Sequence, residues 1–110
     1  MPWYYNPQSG GIKIPAAQHE LFRRRVEAFA KERPFDLSVR FKGHFCYVDV
    51  TVAGETTPSP LCRLRHFTET RWTMAFYTWS HERYEPCLLL NGKWEGEIKE
   101  ALAAATFLLN

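Results

Sequence analysis

Residues 37–52, LSVRFKGHFCYVDVTV, constrain the fold more tightly than any other stretch. Two alternating runs flank Lys42-Gly43, and a short Gly-containing connection between such runs signals a β-hairpin. With Lys42-Gly43 as the turn, Phe41 is expected opposite His44, Val39 opposite Cys46 and Leu37 opposite Val48. Directly opposed residues project to the same side of a sheet. Leu37, Val39, Phe41, Cys46, Val48, Val50 and Val52 therefore form one predicted core face. Ser38, Arg40, Phe45, Tyr47, Asp49 and Thr51 form the other.

The next segment, AGETTPSP, reads as a loop because its prolines and glycine break strand pairing. LCRLRHF then alternates, with Cys62, Leu64 and His66 set against Arg63, Arg65 and Phe67. A three-residue loop, Glu69-Thr70-Arg71, pairs Leu64 with Phe76 and His66 with Met74. That register sends Trp72, Met74 and Phe76 to the core, and Tyr77 and Trp79 outward beside Arg63 and Arg65. A four-residue loop would invert the strand and bury less apolar area. Arg71–Trp94 holds three of the four tryptophans. Within it, Ser80–Arg83 is a polar connection, YEPCLLL an edge strand because Pro86 lacks an N–H, and Asn91-Gly92 a turn.

Helical periodicity brackets these strands. After Pro15, AAQHELFRRRVEAFAKER places Leu21 or Phe22, Val26, Phe29 and Ala30 on one stripe, and Pro34 stops it. Glu20/Arg24 and Glu27/Lys31 have the spacing of helical ion pairs. Arg23-Arg24-Arg25 reads as a solvated face rather than a phosphate site. After Gly96, EIKEALAAATFLL sets Ile98, Ala101, Leu102, Ala105 and Leu109 on one stripe. The order helix, five strands, helix predicts an α+β domain over residues 1–110: an antiparallel sheet of about five strands with both helices on one face. Residues 1–13 are an irregular lead-in whose Trp3, Tyr4 and Tyr5 are expected to dock on the domain.

Composition limits the function classes. One domain of 110 residues, 45% hydrophobic and 24% charged, is globular material. A net charge of +2 gives little pull toward nucleic acid or an anionic membrane. The start lacks a basic-then-apolar signal pattern, and the longest aliphatic run is Leu88-Leu89-Leu90, so the expected setting is soluble and cytoplasmic with no membrane partner. Three widely spaced cysteines fit a reducing compartment better than a disulfide framework.

No metal or cofactor is expected. His44-x-Cys46 and Cys62-x3-His66 each share a strand face by spacing, and His81-x5-Cys87 spans a loop, but no C-x2-C knuckle accompanies them. Cys62 and His66 stand ~13 Å apart along a strand, too far for a nucleophile–base pair. The loop His81–Tyr84 is the densest ionisable cluster. It supports an enzymatic reading only if it lines a pocket, and a solvated turn is the simpler expectation.

The candidate site is instead the outer sheet face: Arg40, Phe45, Tyr47, Arg63, Arg65, Tyr77 and Trp79. Rings and guanidiniums together can anchor a protein partner or a second copy of the chain. They can also stack bases of single-stranded nucleic acid. The small net charge favours the protein reading: a non-enzymatic interaction or homodimerisation module, with nucleic-acid binding as the alternative.

Overall fold

A computed structural model describes residues 9–109 of the chain. A short 3-10 turn, Ala16–Gln18, leads into helix α1, His19–Ala30. Five strands follow: β1 Phe35–Lys42, β2 Phe45–Val52, β3 Ser59–Thr68, β4 Arg71–Thr78 and β5 Arg83–Cys87. A two-residue strand β6, Glu95–Gly96, precedes helix α2, Ile98–Thr106, and a last 3-10 turn, Phe107–Leu109. The sheet is an antiparallel meander in sequence order, β1 to β5. β5 and β6 share one side of β4, β5 along Met74–Thr78 and β6 along Trp72-Thr73. This is the α+β architecture the sequence predicts, with β6 added. Trp3, Tyr4 and Tyr5 lie outside the described residues.

Both helices cover the inner face. Phe22, Val26 and Ala30, four residues apart in turn, form the buried stripe of α1, with Phe29 partly buried beside them. Leu21, the alternative start of the stripe, is exposed. Arg23 and Arg24 both bond Glu20, whereas Glu27 and Lys31 do not pair with each other. Arg25 crosses to the β3–β4 turn and meets Glu69 at 2.5 Å. α2 begins where Glu100 reaches back to accept the Glu97 amide at 3.2 Å, which satisfies one orphan donor of the first turn. Ile98, Ala101, Leu102 and Ala105 then pack onto the sheet. Trp72 is fully buried, edge-on to Phe22 at 5.0 Å, and its indole N–H donates to the Glu69 carbonyl.

Two registers differ from expectation. The β1–β2 turn uses Gly43-His44 as its central pair, not Lys42-Gly43, so Lys42 faces Phe45, Phe41 faces Cys46 and Val39 faces Val48. Gly43 sits at φ +61, as the first central residue of a type II′ turn requires. Between β3 and β4 the three-residue loop is replaced by a two-residue turn, Glu69-Thr70, plus a bulge at Phe67. Leu64 consequently faces Met74, and His66 faces Trp72. Each slide is by two residues, so the side chains within the strands keep their predicted sides, while His44 moves into the turn. β3 also starts earlier than expected, at Ser59. Pro60 is tolerated there because a bulge at Leu61 interrupts the β2 ladder and β4 pairs only from Cys62 onward.

The lead-in straps across one end of the sheet. Ile12 donates its amide to the His66 carbonyl at 2.7 Å, and Ile14 donates to the Gly43 carbonyl at 2.9 Å before burying its side chain. The approach is close at Gly11, where a Cβ would fall 2.6 Å from the His44 ring.

Candidate functional site

Six of the seven predicted residues lie on the outer face of the strands. The register aligns Arg40, Tyr47, Arg63 and Ala75 across β1 to β4, with Phe45, Arg65 and Thr73 in the next row. Tyr77 pairs with Tyr84 on β5. Trp79 follows the end of β4 and turns its ring edge-on to Tyr77 at 5.0 Å.

Tyr84 is the residue that sequence reading left out. From β5 its ring meets Tyr77 at 5.1 Å and Tyr47 at 5.7 Å, while the Arg63 guanidinium lies 5.3 Å from its centroid. It thus links β5 to β2 across the face. Its signal was present: a four-residue turn over 79–82 sets Thr78 opposite Arg83, and hence Tyr77 opposite Tyr84. Reading Ser80–Arg83 only as a polar connection concealed that pairing.

The three arginines differ in how their charge is met. Arg40 forks onto both carboxylate oxygens of Asp49 at 2.9 and 3.2 Å, and this hydrogen bonding raises its pKa above the usual value. Arg65 is 7% exposed, donates to the Gly10 carbonyl at 2.6 Å and to His44 Nε2 at 3.1 Å, and lies over the Phe45 ring. Because guanidinium only donates, His44 Nε2 accepts, so the imidazole is neutral with its proton on Nδ1. Burial, then Arg65 and Arg63, lowers the His44 pKa, in agreement with that state. Among the described residues Arg63 has no carboxylate partner, and it is held by the Phe45 ring at 4.4 Å and by Tyr84. Burial first, then the Asp49 carboxylate, raises the Tyr84 pKa, which keeps its hydroxyl neutral.

Exposure is uneven over this face. Thr73 and Ala75 are buried, whereas Tyr47, Tyr77 and Tyr84 are half-buried and Trp79 is 64% exposed. Where the sheet ends beside Trp79, Tyr77 and the inner-face residues Val50, Val52 and Phe76 line, with Leu109, an apolar groove of 330 Å³.

The other candidates separate. His44 does not share a face with Cys46: it occupies the turn and packs on Phe45 at 4.2 Å, while Cys46 is fully buried inside. Burial pushes the Cys46 thiol up to about 12 and Cys62 well above its usual value, so neither is a ready thiolate. Cys62 and His66 share the inner face as expected. His66 donates from Nδ1 to the Ile12 carbonyl at 2.7 Å and sits beside Phe22 and Trp72, and its Nε2 has no hydrogen-bond partner among the described residues. His81 donates to Glu85 at 2.8 Å in an exposed turn, and that bond lowers the Glu85 pKa. Among the described residues no three His, Cys, Asp or Glu side chains converge as a metal site, and no helix is long and apolar enough to cross a membrane. No protein-family model matches the chain, and neither does any curated protein or solved structure.

Proposed function

We propose that the outer face binds a protein partner, with Trp79 and Tyr77 as the anchors. The supporting observation is the contrast between satisfied cations and an exposed ring. Arg40 is spent on Asp49 and Arg65 on Gly10 and His44, while Trp79 projects beside an apolar groove large enough for one or two partner side chains. Interfaces draw most of their energy from such aromatic anchors seated next to a pocket. A phosphate backbone needs several cations free to replace counterions, and on this face, among the described residues, only Arg63 and Lys42 at the sheet edge have no polar partner.

The test is affinity capture from the native cell extract with wild type, Trp79→Ala and Arg63→Ala, each confirmed as folded by circular dichroism. The expected result is a protein retained through moderate salt by wild type and lost with Trp79→Ala, an anchor loss of about 2 kcal/mol or more. Binding of labelled single-stranded oligonucleotide that falls steeply with salt and disappears with Arg63→Ala would replace this reading with the nucleic-acid one.

A further inference from the structure

We propose that the free edge of β1 pairs with the same edge of a second copy of this chain, antiparallel about a twofold axis through Val39. This inference does not rest on what the outer face binds.

The two edges of the sheet are built differently. β5 is five residues long, contains Pro86 and shares its side of β4 with β6. Those are features that blunt an edge. β1 has none of them. Its eight residues pair with β2 without a bulge, from Phe35↔Val52 to Lys42↔Phe45, and it contains no Pro or Gly. Among the described residues its backbone bonds to no strand but β2. The lead-in strap stops short of it, at the Gly43 carbonyl. A long, regular, unpaired edge is a template for another strand.

The side chains select which strand. Read against itself in reverse with Val39 on the axis, β1 sets Asp36 opposite Lys42 of the second copy, Leu37 opposite Phe41 and Ser38 opposite Arg40, each pair occurring twice. Asp36 and Lys42 are exposed, and among the described residues neither has a hydrogen-bond or ion-pair partner. Opposite charges facing across strands stabilise pairing, and like charges oppose it. Neighbouring registers are poorer. One slide of two residues sets Arg40 against Arg40. The other sets Asp36 against Arg40, already held by Asp49, and brings Lys42 to Pro34, which has no amide hydrogen. Slides by one residue would oppose the apolar inner-face residues to the charged outer-face ones. The strand is therefore self-complementary in one register, as an isologous twofold contact requires.

Sedimentation velocity over a concentration series tests this with Asp36→Lys, Lys42→Asp and the double exchange, all at exposed positions and checked for fold by circular dichroism. Wild type is expected to form a dimer that dissociates on dilution. Each single variant should weaken it by about tenfold or more, and the double exchange should restore it. In parallel, Val39→Cys under mild oxidant should yield a covalent dimer, since that position alone faces its own copy. A wild type monomeric throughout, a dimer indifferent to the single exchanges, or failure of both restoration and cross-linking would overturn the proposal.

Discussion

The inner and outer faces of the sheet are both built from aromatic rings meeting edge to face, yet the rings serve different ends. Inside, Trp72 meets Phe22 at 5.0 Å, and both are sealed beneath the helices. Outside, Tyr84 meets Tyr77 at 5.1 Å in nearly the same geometry, but guanidiniums interleave and solvent reaches the rings. A ring pair itself contributes about 0.5–1.5 kcal/mol, so the pairs alone do not distinguish the faces. Burial does. The inner rings supply stability; the outer ones hold a shaped, half-wet surface whose cations are already placed.

The sharpest way to break this comparison is to remove one ring from each face. Trp72→Ala should cost ~3–5 kcal/mol, measured by urea unfolding, because it opens a cavity under both helices. Tyr84→Ala should cost clearly less; an equal cost would mean that the outer face is a second core.

Next in size is the alkaline response of the inner face. The Cys46 thiol ionises near its ordinary value of 9.0 when unfolded but is pushed up to about 12 when folded. Between those values the folded state holds the extra proton, so stability falls as pH rises, by up to about 1.4 kcal/mol per pH unit. Below the unfolded value the group has no effect. Cys46→Ala should flatten the slope in that window, although it lowers stability at neutral pH. An unchanged slope would show that other groups carry it.

The smallest effect belongs to the outer ion pair. Arg40 is 61% exposed against 14% for Asp49. A double-mutant cycle with Arg40→Ala and Asp49→Ala should give a coupling of about 0.2–1 kcal/mol that shrinks with salt. A larger coupling would mean that the pair organises Tyr47 and Tyr84 around it.

Much of the fold was legible because a strand's side-chain period is two. Both hairpin registers lie two residues from the expected pairing, yet the inner strand residues stay on their side. What alternation cannot report is which pair of residues closes a turn. That depended on φ at Gly43 and on a bulge at Phe67, where Arg25 and Trp72 both fasten Glu69. The site was legible for the same reason, since within each of the four consecutive strands Arg40, Tyr47, Arg63 and Tyr77 alternate with the residues of the core face. His44 failed because a turn residue has no fixed face. The crossing of Gly10 to Ile14 carries no periodicity at all; it became visible only through backbone bonds to residues far along the chain.

The meander also bears on the time course of folding. Each strand from β2 to β5 lies beside the one just made, so each new rung closes a short loop at small entropic cost. The strap is the exception: Ile12 meets His66 across 54 residues, and Arg65 meets Gly10 across 55. The two carbonyls it binds, on Gly43 and His66, come together only once β2 and β3 have paired, so the strap is expected to close after the hairpins, at the larger entropic cost of a long-range contact.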